Sequence, residues 1–600
     1  KYSVIILDEA HERSLQTDIL MGLIRRMQDG DLRDIRIIVM SATLQIELFS
    51  SFFTNTNVVI VPGRQFPVTT IYSPEPEPEY VDAALSTCLK IHENEEPGGV
   101  LVFLPGQEDI ESLTQLLQEK LPTVRSYFAK NGISPSPNDA VSDVKPSVIE
   151  EADGSKTIGI ENLYDFVIRP LYASMPPEDQ LKVFDPIAPT MRKFILATNI
   201  AETSVTISGV KYVVDTGFVK TRFINEHTGI EMLKTMPVAK SQANQRTGRA
   251  GRECPGKCFR LYPRDIFEQL PDATVPEIQR MNIAQVFLQL KALNIESFHS
   301  FPFLSPPTPA VVRQALETLL HLGALDREQN LTEIGTKLAM LPLHPSFAYF
   351  LIKSEDFQCV QEALIAVSLL SVDNVFLQPF KDEDKQKAYH AHRVFASKDG
   401  DVITLVNIYN QWIKAKKDKK WTSWNYLSYR GLTVAENIKQ QLTTLLKSKL
   451  KMDTSVSCYP ERKDQLLRCL CLSFCNNIAQ SIQSMDMRDH QKVDREELKK
   501  DKSVVRNSNK NTSYRAPSAL VQDIQSKNTS NAPYRTLRGQ QFVHIHPSSV
   551  LFSMIKNKKL PAFVIYADLL ITNKQYMKYI SVIEANWLTE LFPEKFKSLT

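Results

Sequence analysis

"KYSVIILDEAHERS", residues 1–14, reads as a buried strand that stops at two acids. The apolar run Val4 to Leu7 ends abruptly at Asp8 and Glu9, and His11 follows two positions later. An amphipathic stretch, "RSLQTDILMGLIRRMQ", comes next, and then a second apolar run, "IRIIVMSAT". Continuous apolar strands separated by a helical period indicate a parallel α/β sheet. The carboxyl ends of such strands form the ligand crevice of open α/β sheets, so Asp8 and Glu9 stand where ligands bind. An acid there can hold Mg²⁺ through its water shell, and its neighbour can polarise an attacking water. The same pair also suits an ordinary helix N-cap. The chain opens on this strand with no initiator Met and no lead-in, which sets the expectation that the front half of a first α/β domain is missing.

At 600 residues the chain is too long for one core, so several domains are expected. The 71 Lys and Arg nearly balance the 68 Asp and Glu, so an anionic partner must be held by a local groove and not by the whole surface. No uninterrupted apolar stretch reaches membrane-spanning length, and no membrane partner is expected. Of the eight cysteines, Cys469, Cys471 and Cys475 sit close together, and Cys254 and Cys258 flank "PGK". Neither group has a partner pair at zinc spacing, so reduced packing cysteines are the expectation.

Beyond residue 62 a second α/β region runs to 265, with strands at "GGVLVFLP", "DFVIRPLYAS", "RKFILATN" and "VKYVVDTGF". A polar, Pro- and Ser-rich insertion at about 125–162 reads as a loop. From 266 the pattern turns helical, with "EIQRMNIAQVFLQLKAL" and "AVVRQALETLLHLGAL" strongly amphipathic, and residues 345–452 read as a helical bundle. Strand signals return over 453–600, in "CLSFCNNIAQSI", "QQFVHIHPSSVLF", "AFVIYADLLIT" and "YMKYISVIEANWL", and suggest a small barrel. A basic-leaning stretch at about 485–535 interrupts them and reads as disordered.

Two further stretches bear on the acid pair. "SAT" (Ser41, Ala42, Thr43) falls at the end of the second apolar strand. "QRTGRAGR", residues 245–252, places Arg246, Arg249 and Arg252 three apart, on one helical face. Guanidinium forks so arranged can stabilise charge in γ-phosphoryl transfer. A solvated basic helix is the plain alternative, but glycines are wasteful there.

The order DEAH, SAT, "FLPGQEDI", "TNIAETSVTI" and "QRTGRAGR" resembles the DEAH-box helicases of superfamily 2, and the resemblance covers nearly the whole chain. It implies a multidomain α/β plus α plus β architecture. Residues 1–62 would be the second half of a RecA-like domain and 63–265 a second RecA-like domain. Residues 266–344 would be a winged helix, 345–452 a ratchet-type bundle and 453–600 an OB-like barrel. The implied activity is ATP-dependent 3'-to-5' translocation on RNA and remodelling of RNA or RNP. The implied cofactors are ATP and Mg²⁺, and the implied partners are single-stranded RNA, held by its backbone, and a protein activator. A nuclear or nucleolar home is implied in the same way.

The resemblance also assigns residues. Asp8, with Glu9, would hold Mg²⁺ through water, and Glu9 would deprotonate the attacking water. His11 would link this segment to its neighbours, while Ser41 and Thr43 would couple nucleotide state to strand separation. Gln245 would position the water, and Arg249 and Arg252 would act as arginine fingers. Arg246 is assigned with them to the nucleotide, as is Phe184, which would stack on the base. Thr198 and Asn199 would touch the RNA backbone. Residues 217–236 fit the family's β-hairpin near the point of strand separation. A phosphate-binding loop, G-x-x-x-x-G-K-[ST], is absent from residues 1–600. The expectation is therefore a truncated helicase that is inactive as given. The alternative is a non-catalytic RNA-binding or assembly scaffold, and a DNA helicase on the same scaffold is a third reading.

Overall fold

The computed structural model describes residues 3–30, 35–42, 46–53, 56–61, 63, 66–76, 79–130, 148–150, 156–158, 165–173, 175, 177–188, 191–203, 206–224, 231–295, 298–372, 375–377, 379, 382–482, 533–552, 560–571 and 574–593. The chain forms two compact units. One comprises Lys1–Ser41, Arg222–Lys234 and Pro276–Thr600, and the other Ala42–Thr221 and Thr235–Val275.

The second unit is built on a six-stranded sheet. Its strands lie side by side in the order Val68–Tyr72, Gly256–Arg260, Val210–Asp215, Gly99–Phe103, Met191–Ala197 and Asp165–Leu171, all parallel. All five residues of Gly99–Phe103 are buried, as a central parallel strand requires. Alternation then sorts the side chains by face. Val100, Val102, Leu196 and Val214 pack with Ile91, Leu113 and Leu117 from the helices Tyr80–Asn94 and Gln107–Lys130. Leu101, Phe103, Ile195 and Val213 pack with Val183, Ile207 and Ala250 in a second cluster. All four expected strands are present. Val68–Tyr72 and Gly256–Arg260 are additions, and neither shows a long apolar run.

The helix Gln107–Lys130 runs into the stretch read as a loop from 125. The sequence keeps an apolar residue every three or four positions through Val124 and Phe128, which favours the helix. Val148–Glu150 pairs with Lys156–Ile158. The rest of that insertion lies outside the described residues.

In the first unit, Val4–Leu7 pairs in parallel with Arg36–Val39. The intervening helix Leu15–Asp29 starts where Ser14 accepts a hydrogen bond from Thr17 N. The amphipathic stretch from 277 is two helices, Glu277–Arg280 and Ala284–Ala292, because Asn282 Oδ1 caps Ala284 N at 2.9 Å. Pro309–His321, the bridge Leu325–Leu331 and Glu333–Ala339 complete a helix–wing–helix arrangement. The bundle follows, with Val360–Leu370 and Asp401–Lys414 buried along most of their length. "CLSFCNNIAQSI" opens on the last three residues of the helix Lys463–Ser473, and only Ile478–Ser481 of it is strand. That strand joins Tyr534–Thr536, Phe542–Ile545, Gln575–Ile583 and Phe563–Ile571 in a closed barrel. Tyr534–Thr536 falls inside the stretch expected to be disordered, whose residues 485–532 lie outside the described residues. Among the described residues no helix is long and apolar enough to cross a membrane.

Asp401 fastens the bundle to the barrel. Its carboxylate accepts from Ser549 Oγ at 3.0 Å, Val550 N at 2.9 Å and Ile580 N at 2.7 Å. Burial pushes its carboxyl up to about 6, against the pull of those donors. Asp401→Ala strands two buried amides and a hydroxyl, and is expected to cost about 2–4 kcal/mol in urea unfolding. The folded pKa lies above the ordinary 3.8, so the folded state holds this proton more tightly. Relative to Asp401→Asn, the parent chain should lose stability as pH rises from about 4 through about 6.

Candidate functional site

In the first unit, Leu7 is buried and the two residues after it are exposed. Asp8 Oδ1 accepts the Glu9 amide at 2.8 Å. Glu9 has φ 50° and ψ 36°, and Arg13 has φ 50° and ψ 42°, so left-handed residues bracket the tight turn Ala10–Glu12. Such conformations are costly for non-glycine residues and persist only where the surroundings enforce them. Here Ala10 is fully buried, and its amide bonds Met40 O at 3.0 Å, which pins the turn to the end of the next strand. Behind it, Arg13 forms a bidentate pair with buried Asp18, at 2.8 Å through both Nε and Nη2, and reaches Ser305 Oγ at 2.8 Å.

The consequence is that Glu9 stays half-exposed, with its Oε2 3.4 Å from His11 Nε2. The N-cap alternative is not realised, since Ser14 caps the following helix and Glu9 makes no side-chain cap bond. Two neighbouring exposed carboxylates suit an ion that prefers oxygen, keeps most of its waters and takes one or two carboxylates plus phosphate oxygens. Among the described residues no group of three or more His, Cys, Asp or Glu is placed to hold a metal. Ser41 is exposed just past Met40, and Thr43 lies outside the described residues.

In the second unit, the helix Lys240–Gly248 carries Gln245 and Arg246. It ends before Arg249 and Arg252, so the three arginines do not share a face, contrary to the spacing argument. Arg246 points inward and is 1% exposed. Its Nη1 meets Asp215 Oδ1 at 2.7 Å and its Nε meets Glu202 Oε2 at 3.1 Å. Phe218 O accepts from it at 3.3 Å, and its Cζ lies 4.9 Å from the Phe103 ring centre. Burial opposes the charge on this guanidinium, but the two carboxylates outweigh burial and raise its pKa. Assigning Arg246 to the nucleotide is therefore corrected: it is an interior strut.

Arg249 and Arg252 are half-buried. Arg249 Nη2 donates to Thr203 O at 3.0 Å and also to Glu202 O, and Arg252 donates to Thr206 Oγ1. Gly251 allows close chain packing, since a Cβ there would stand 2.6 Å from Phe66 O. Thr198 and exposed Asn199 begin a tight turn at the end of Met191–Ala197, and the turn leads directly to Glu202. The strand end bearing Thr198 and Asn199 is thus wired to the arginine segment through Glu202. Phe184 is 47% exposed, so it is not a core residue. The expected hairpin is present as Phe218–Ile224 paired with Glu231–Pro237. Sequence reasoning missed Glu202 and Asp215. An acid at the end of the apolar run "VKYVVD" was the available signal.

Arg246→Ala leaves two buried carboxylates uncompensated and should cost about 3–5 kcal/mol, read as a large drop in melting temperature. Arg252→Ala, with an exposed partner, should stay within about 0.5–1 kcal/mol of the parent.

Four family descriptions match the chain. They are the helicase conserved C-terminal domain at 147–254, the winged-helix part of the helicase-associated domain at 315–343, its ratchet-like part at 344–405, and an oligonucleotide/oligosaccharide-binding (OB)-fold at 466–595. The chain is 38% identical over 611 residues to the human "Probable ATP-dependent RNA helicase DHX35", covering 100% of this chain and 74% of that protein. It is 36% identical to mouse "ATP-dependent RNA helicase DHX33", covering 100% and 74%. It is also 35% identical to the Schizosaccharomyces pombe "Pre-mRNA-splicing factor ATP-dependent RNA helicase prp22", covering 100% of this chain and 43% of that protein. With an acid turn, a helicase C-terminal sheet, a winged helix, a ratchet bundle and an OB barrel in one chain, the protein belongs to the DEAH-box family of ATP-dependent RNA helicases.

Proposed function

We propose that this chain works as an RNA motor that spends ATP to move 3'-to-5' along a single strand and remodel RNA or RNP. The observation that carries the reading is the acid turn: two adjacent exposed carboxylates on a left-handed turn fixed to the next strand. Asp8 and Glu9 are the residues that would hold Mg²⁺, which when bound would supply charge neutralisation at the phosphates. Glu9 takes the proton of the attacking water, with His11 beside it. Gln245 orients that water, and Arg249 and Arg252 supply guanidinium charge to the transferring phosphoryl group. Ser41 and Thr43 couple nucleotide state to strand separation, and Phe184 offers an exposed ring to the base. Thr198 and Asn199 contact RNA through its backbone, which positions without reading sequence. A nuclear site of action and a protein activator belong to the same proposal, drawn from the splicing role named for the fission-yeast relative.

One observation favours a second reading. Residues 1–600 contain no G-x-x-x-x-G-K-[ST] loop, the backbone cradle that holds the phosphates in P-loop NTPases. The 600-residue chain on its own should therefore hydrolyse ATP slowly and behave as an RNA-binding scaffold.

The test is RNA-stimulated ATP hydrolysis by the product of the full-length transcript, beside variants. Glu9→Gln should abolish turnover, and Arg249→Ala should lower kcat by about a thousandfold. No turnover from a full-length product that also begins near Lys1 would leave the scaffold reading.

A further inference from the structure

A four-residue helical turn, Glu277–Arg280, stands between the acid turn and the outer arm of the hairpin. On one side, Leu15 N donates to Glu277 Oε2 at 2.9 Å, and Glu277 N donates to Arg13 O at 3.2 Å. Arg13 is the left-handed residue that closes the acid turn, so Glu277 grips that turn by main chain and by the helix start that follows it. On the other side, Arg280 Nη1 donates to Arg222 O at 2.8 Å, and its Cζ lies 5.9 Å from the Phe223 ring centre. The two grips meet where Arg280 Nη2 pairs with Glu277 Oε1 at 3.4 Å. One carboxylate thus holds the helix start that follows the acid turn with one oxygen, and with the other the arginine that grips the hairpin.

We propose that Glu277 and Arg280 form a positioning relay that ties the conformation of the acid turn to that of the hairpin. The proposal rests on the reading of the acid turn as the nucleotide-handling segment and of the hairpin as the RNA-handling one. Neither residue touches nucleotide or RNA; each acts through the main chain of its neighbour. A grip on main-chain groups follows backbone position, which is what a left-handed turn changes when it relaxes. The pair is only partly exposed, 14% for Arg280 and 29% for Glu277, so its attraction is screened less than a surface pair's. Coupling of this kind is reciprocal: disturbing either end alters the other by the same factor.

Hydrogen exchange on the 600-residue chain tests the relay without any activity. Arg280→Ala should speed exchange at Ala10–Leu15 as well as in the hairpin. Glu277→Gln should speed it in Phe218–Ile224 as well as in the acid turn. The bundle helix Val360–Leu370 should be unchanged in both. Effects confined to the mutated side, or spread over the whole chain, overturn the relay. In the full-length product, Arg280→Ala should keep RNA-stimulated hydrolysis within about threefold while strand separation per ATP falls about tenfold, with partial return in Arg280→Lys. Equal loss of both activities, or unchanged separation, also overturns it. A parent protein without RNA-stimulated hydrolysis overturns the motor reading instead, and the exchange result then decides the relay alone.

Discussion

A guanidinium inside a protein needs acceptors on every side, and buried acids meet that need behind both candidate turns. In one unit Arg246 lies beneath the strand ends with Asp215, Glu202 and a main-chain carbonyl as partners. In the other, Arg13 is 4% exposed and meets Asp18 through two nitrogens, with Asp18 fully buried. Desolvating such ions is expensive, and only several well-placed partners make it tolerable. The gain is precision. Asp215 also accepts from Tyr262 OH and from Gly217 N, so one carboxylate fixes a strand end, a helix and the start of the hairpin. The exposed acids and half-buried arginines proposed for chemistry sit beside these interior pairs.

This explains which parts of the fold could be read in advance. Gly99–Phe103 and Met191–Ala197 are central strands with nearly every residue buried, and the first is apolar throughout while the second is apolar from Phe194 to Ala197. Val68–Tyr72 occupies an edge and alternates between half-buried and exposed, and its "VTTIY" is too short and polar to stand out. Gly256–Arg260 has polar and charged residues among its five and was missed for the same reason. The break between Arg280 and Ala284 rests on one asparagine side chain, which periodicity does not register. The barrel was legible as a class, while Tyr534–Thr536, only three residues long, was not.

The positions of the candidate residues were legible in the sequence, and their buried partners were not. Asp8, Glu9, Thr198 and Asn199 all fall at or just past strand ends, where topology alone places ligand-facing residues. Spacing misled at Arg246, because three-residue spacing defines a face only while the helix continues, and this helix stops at Gly248. Once the chain turns, Arg249 and Arg252 are aimed by the turn, through Glu202 O, Thr203 O and Thr206 Oγ1. Sequence alone distinguishes a structural arginine from a working one only when the buried acids are recognised with it.

The contrast between the two kinds of arginine bears on motion. Arg246 and Arg13 are sealed, and breaking either pair strands a charge in the interior, so neither can open during a working cycle. Arg280 and Glu277 are partly exposed and share one longer contact, so their pair is easier to remake than the sealed ones. Rigid pairs therefore preserve the geometry of each turn, and the exchangeable pair lies between the acid turn and the hairpin. A motor needs both: fixed catalytic geometry within each element, and contacts between elements weak enough to be remade. The placement of strong pairs behind the acid turn and of a weak pair between that turn and the hairpin satisfies both requirements with the same residue type.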